Sequence, residues 1–216
     1  MKIDSSDNIW ITDTGNHTVV RLSPEGKVLL KLGEPGRNGE WAEPSSHLLD
    51  QPTDVAFLAS GEFFVIQGHG GAPRVLRFSA SGQLIKGWAV SPRSADVPTN
   101  LHAGAIDRDG TLWIGDREGG RVLVFDTDGA LKRTIQMENR VSGLYLGKDG
   151  LLYISSSYEG QIIQADRNGR ILGVTGGPGT EPGRYGEAHS LALGPRDEIY
   201  AADNSGSRVQ KYVRRK

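Results

Sequence analysis

Five short segments of the chain carry one pattern: Asn8-Ile-Trp-Ile-Thr-Asp13, Glu62-Phe-Phe-Val-Ile-Gln67, Thr111-Leu-Trp-Ile-Gly-Asp116, Leu151-Leu-Tyr-Ile-Ser-Ser156 and Glu198-Ile-Tyr-Ala-Ala-Asp203. Each alternates in polarity and places an aromatic residue third, which reads as a half-buried strand. Turns such as Ala59-Ser60-Gly61, Arg108-Asp109-Gly110 and Lys148-Asp149-Gly150 precede them, and before each turn lies another small apolar run, for example Val55 to Leu58 and Leu191 to Leu193. A third strand follows, seen in Arg74 to Phe78, Arg121 to Phe125, Gln161 to Ala165 and Arg208 to Tyr212, with Thr18 to Leu22 as the first copy. Hairpin turns ending in Gly26, Gly82, Gly129 and Gly169 then lead to a fourth strand. Four strands repeating every roughly 40–50 residues is the period of a β-propeller.

The fold class expected is therefore all-β: a single propeller domain over residues 1–216 with about five blades. The blades fall at about 1–33, 51–90, 101–137, 141–175 and 188–216. The first enters on a stub, Met1 to Asp4, and the fifth stops at its third strand. The missing pieces add up to about one blade, so the chain is expected to derive from a six-bladed parent. The repeated aromatics Trp10, Trp113, Tyr153 and Tyr200 are expected to pack between blades.

Composition narrows the function. The 216 residues include 30 Gly, no Cys, and a formal net charge of -1. No thiolate metal site, disulfide or Cys nucleophile is available. The near-neutral balance gives no electrostatic case for nucleic acid, whose one basic cluster here is Arg214-Arg215-Lys216, nor for a membrane surface. No apolar run approaches the roughly 18 residues of a membrane span. The chain reads as soluble, its compartment unassigned, with any export signal expected upstream of Met1. Gly176-Gly-Pro-Gly-Thr-Glu-Pro-Gly183 lacks the strand-to-helix context of a phosphate loop and reads as a linker.

Two histidines stand out by position. His102 and His189 each precede the inner strand of an alternate blade, where blades two and four carry Thr53 and Val141. Inner strands line a propeller's channel, so both imidazoles are expected at its mouth. His69, Arg117, Glu118 and Asn204 lie in loops on the same face. A guanidinium there suits a substrate carboxylate or carbonyl. His69 sits among Gly68, Gly70 and Gly71, which suggests a flexible loop. His17 reads as a loop or blade-packing residue and His47 as part of a connector.

The blades resemble NHL-type repeats, most clearly in DREGGRVLVFDTDG at Asp116–Gly129. Gln51-Pro-Thr-Asp-Val-Ala56, Leu101-His-Ala-Gly-Ala105, Gly115-Asp-Arg-Glu-Gly-Gly-Arg121 and Ala188-His-Ser-Leu-Ala192 together resemble bacterial relatives of peptidyl-α-hydroxyglycine α-amidating lyase. That resemblance implies a six-bladed ring with zinc held by three His, of which His102 and His189 match two; the third would fall just upstream of Met1. It implies a catalytic Arg at Arg117 and places His69 where the family has a catalytic Tyr. A His there suits a general base near neutral pH. A structural calcium is also implied, but the family's Asp beside the last ligand is Ser190 here.

Three functions are compatible with these residues: a zinc-dependent lyase acting on a small carboxylate-bearing or peptide substrate in the channel, a non-catalytic NHL propeller binding a protein, glycan or other ligand, and a lactonase-type hydrolase. The last needs a carboxylate and Asn ligand set that the inner-strand starts do not offer.

Overall fold

The computed structural model describes residues 1–39 and 48–213, so His47 and the basic tail at 214–216 lie outside the described residues. Those residues form nineteen strands and no helix. Blade one comprises β1 (Lys2–Ile3), β2 (Ile9–Asp13), β3 (Thr18–Leu22) and β4 (Val28–Leu32). Blade two follows with β5 (Pro52–Phe57), β6 (Phe63–Gln67), β7 (Arg74–Phe78) and β8 (Leu84–Ala89). Blade three holds β9 (Leu101–Ile106), β10 (Leu112–Asp116), β11 (Arg121–Phe125) and β12 (Leu131–Gln136). Blade four holds β13 (Gly143–Leu146), β14 (Leu152–Ser156), β15 (Gln161–Ala165) and β16 (Ile171–Gly176). Blade five has three strands, β17 (Ala188–Leu193), β18 (Ile199–Asp203) and β19 (Arg208–Tyr212). All pair antiparallel with their sequence neighbours, as an up-and-down repeat requires.

The five blades surround a central channel of about 980 Å³, walled by the inner strands β1, β5, β9, β13 and β17. Five blades, not the six of the resemblance, form from the described residues, because the strand complement is four full sets and one of three. None of the described residues forms a helix long and apolar enough to cross a membrane.

Alternating side chains from facing blades build the core. One apolar cluster joins blades one and two through Trp10, Val19, Val55 and Phe63, and another joins two and three through Phe64, Val75, Ile114 and Leu123. A third joins three and four through Trp113, Val122, Ile154 and Ile163. The smallest joins four and five through Ile162, Tyr185, Ala188 and Ala201. Each fully buried aliphatic or Phe side chain contributes about 1.5–3 kcal/mol. The aromatics are also tied to the turn beneath them. Trp10 Nε1 donates to Asp4 at 2.8 Å, Trp113 Nε1 to Asp107 at 3.0 Å and the Tyr153 hydroxyl to Asp149 at 2.8 Å.

Tyr200 departs from the expectation. Trp10, Trp113 and Tyr153 are 2%, 2% and 7% exposed, whereas Tyr200 is 36% exposed. Val209, in the register that buries Val19, Val75, Val122 and Ile162, is 67% exposed. Among the described residues no blade covers this face, so the same residue types that form core in blades one to four remain in solvent.

Candidate functional site at the channel mouth

The inner strands do not run straight into the channel mouth. Asp116 pairs with Leu101 and Gly115 with Ala103, so His102 is an extra, unpaired residue in a β-bulge. His189 is the extra residue in the matching bulge of blade five, and Thr53 in that of blade two. A bulge breaks the pleat and re-aims one side chain. Here it turns the two imidazoles toward each other, with ring centroids 4.8 Å apart. In blade two the Thr53 hydroxyl instead donates to the Leu101 carbonyl at 2.7 Å, sealing blade two to blade three.

His69 closes on the same group, its ring centroid 5.3 Å from that of His102. The glycines beside it serve close packing rather than flexibility. A Cβ on Gly68 would collide with the backbone amide and carbonyl of Leu101, and one on Gly70 with the Asp50 carboxylate. At Gly71 it would meet open space. Gly68→Ala is therefore expected to cost about 1–3 kcal/mol and to push His69 away from His102. Gly71→Ala is the control, expected to melt with the wild type; thermal unfolding of both variants checks the contrast, and equal losses would refute it.

Electrostatics set the protonation of the cluster. Burial pushes His102 down to about 3, opposed by its bond to Ser142 and aided by the nearby Arg117 charge. Burial likewise lowers His69 and His189, and Arg117 acts in the same direction on each. The rings are thus neutral near pH 7. His102 Nδ1 lies 2.7 Å from the Ser142 carbonyl, which only accepts, so this nitrogen carries the proton and Nε2 keeps its lone pair. Arg117 is anchored by its amide to the Asn100 carbonyl at 2.8 Å, and its Nε donates to Glu118 at 2.9 Å. Its terminal nitrogens make no hydrogen bond to the other described residues of the site.

His69, His102, His189, Arg117 and Glu118 are therefore brought together. Asn204 stands one step out, its amide donating to Glu187 at 2.8 Å. Glu187 is 6% exposed and its charge acts on His189, a role its position in the connector did not reveal. His17 lies apart, its Nδ1 accepting the Gln51 amide at 3.1 Å between blades one and two. The glycine-rich linker packs along β19, where Arg208 donates to the carbonyls of Thr180, Glu181 and Arg184.

His102 and His189 offer two neutral imidazole donors, a ligand type that zinc accepts. Both imidazoles are neutral, and the Ser142 carbonyl fixes the tautomer of one, as an outer-shell partner does for ligating histidines. Among the described residues no three His, Cys, Asp or Glu side chains gather as a group that could hold a metal ion.

Comparison with known proteins agrees with the fold and the resemblance. No protein-family model matches the chain. It is 28% identical to peptidyl-alpha-hydroxyglycine alpha-amidating lyase 1 of Drosophila melanogaster, an alignment covering all of this chain and 44% of that protein. It is 29% identical to human NHL repeat-containing protein 3 over 56% of the chain and 36% of the relative. Identity to peptidylglycine alpha-amidating monooxygenase of Rattus norvegicus is 34%, over 59% of the chain and 13% of the relative. The chain thus spans less than half the length of these curated relatives. Among solved structures, a streptogramin B lyase superposes with a TM-score of 0.66 at 16% identity, covering 100% of this chain and 68% of that one. The WD40 propeller domain of Doa1 gives 0.69 at 14% identity, covering 99% and 62%. At such identities these two speak for the propeller fold alone.

Proposed function

We propose that this propeller carries a metal-dependent lyase centre that cleaves the C–N bond of a C-terminal α-hydroxyglycine, releasing a peptide amide and glyoxylate. The observation that carries the reading is the pair of bulge-borne, neutral imidazoles of His102 and His189, 4.8 Å apart beside Arg117. The similarity to an amidating lyase along the whole chain supports the choice of reaction.

His102 and His189 would hold zinc. Bound zinc supplies Lewis acidity toward a hydroxyl or carbonyl oxygen of the substrate. Arg117 receives the substrate carboxylate on its terminal nitrogens, while Glu118 holds the guanidinium in plane through Nε. His69, neutral and exposed at the channel mouth, takes the hydroxyl proton as the carbonyl of glyoxylate forms. The C–N bond breaks, and a proton delivered to the departing nitrogen completes the amide. A His does this near neutral pH where a Tyr needs a strongly lowered pKa.

Elemental analysis of the purified chain, beside His102→Ala and His189→Ala, tests the reading. Near-stoichiometric zinc in the wild type, lost in both variants, together with glyoxylate release from an α-hydroxyglycine peptide, is the expected result. A metal-free wild type that releases no glyoxylate would overturn it and leave a non-catalytic, ligand-binding propeller as the reading.

A further inference from the structure

Below the imidazoles, the channel already contains a cation. Lys2, on the short β1, reaches across the channel, and its Nζ donates to Asp54 Oδ2 at 2.7 Å, to the Val55 carbonyl at 2.9 Å and to the Gly104 carbonyl. An ammonium has three N–H donors, and each of these oxygens takes one. Asp54 is shaped for the task. Its Oδ2 also accepts the Gly104 amide at 2.8 Å, and its Oδ1 accepts the Val55 amide at 2.9 Å. The Asp54 side chain is 13% exposed and that of Lys2 30%. One side chain thus ties the inner strands of blades one, two and three, over separations of 52 to 102 residues.

A carboxylate and two backbone carbonyls converging on one point are the ligand chemistry of a hard cation such as calcium. The resemblance implies a calcium ion, yet this cage is filled by an ammonium, and Ser190 stands where the family's acidic partner would be. With these three oxygens taken up by the ammonium, the residues leave no open ligand set for calcium at this point of the channel. We infer that Lys2 is the resident cation of the channel, a tethered ammonium bracing three blades in place of a divalent ion. The brace is independent of any chemistry at the imidazoles.

Thermal unfolding tests this with Lys2→Met, Asp54→Asn and the double variant, each with and without millimolar calcium. The wild type is expected to show no shift on adding calcium. Each single variant is expected to lose about 4–10 °C, and the double variant less than the sum of the two. A Lys2→Met variant melting within about 1 °C of the wild type, additive losses in the double variant, or a wild type stabilised by calcium would each overturn the inference. Should Lys2→Met fail to fold, the Asp54→Asn loss and the calcium response of the wild type still decide it.

Discussion

Replacing Asp116 with Ala is expected to lower the unfolding free energy by about 3–5 kcal/mol, the cost of breaking a buried ion pair by removing one partner. In a chain of this size each kcal/mol moves Tm by about 2–4 °C. The Asp116 side chain is fully buried and that of Arg121 is 11% exposed. Asp116 accepts Arg121 Nε at 2.7 Å, the Asn100 amide at 2.8 Å and the Gly119 amide at 3.1 Å. Truncation strands the guanidinium, which among the described residues keeps only its bonds to the Ser91 carbonyl and the Thr99 hydroxyl. Blade five repeats the motif with Asp203 and Arg208, but there the Arg side chain is 30% exposed. Asp203→Ala should therefore cost less. Thermal melts of the two variants side by side check the ranking; an Asp116→Ala loss below about 1 kcal/mol would mean that the pair is no more than a surface contact.

The second large effect concerns Arg117. On the proposed reaction, Arg117→Ala removes the charge that receives the substrate carboxylate, a loss of about 2–5 kcal/mol for a desolvated charged pair. That corresponds to a fall in kcat/KM of about 30-fold to 5,000-fold. Arg117→Lys should recover only part of it, because an ammonium keeps the charge but loses the planar fork. Glyoxylate release measured against substrate concentration is the check. An Arg117→Ala enzyme with unchanged kcat/KM would remove Arg117 from the site and place the carboxylate elsewhere.

These effects also mark what a sequence can disclose. The blades were legible because alternation and turn chemistry are local, and because five copies reinforce one another. The alignment of His102 with His189 was legible for the same reason. The bulges that aim them were not, since a bulge depends on how Leu101 and Ala103 pair with the neighbouring strand. Arg121 and Arg208 recur at the head of the third strand beside Asp116 and Asp203 of the repeated motif, yet the carbonyls they also bind lie in connectors of unlike sequence. Gly68 suggested a flexible loop; only the path of Leu101 shows that it is there to let two backbones touch. Tyr200 had the pattern of a core residue, but burial needs a neighbour as well as a pattern. Lys2 had no local signal at all, because the oxygens it binds are distant in sequence.

The four apolar clusters have a mechanical corollary for the candidate site. Among the described residues, blade three, which carries His102, is clamped on both flanks, whereas blade five, which carries His189, is held by one cluster, the smallest of the four. Local opening is cheapest where the fewest apolar contacts must be broken. One jaw of the site is therefore an anvil and the other a spring. Thermal breathing falls mainly on the His189 side, so the distance between the two imidazoles is governed by how stiffly a single flank of Tyr185, Ala188 and Ala201 holds its blade against Ile162.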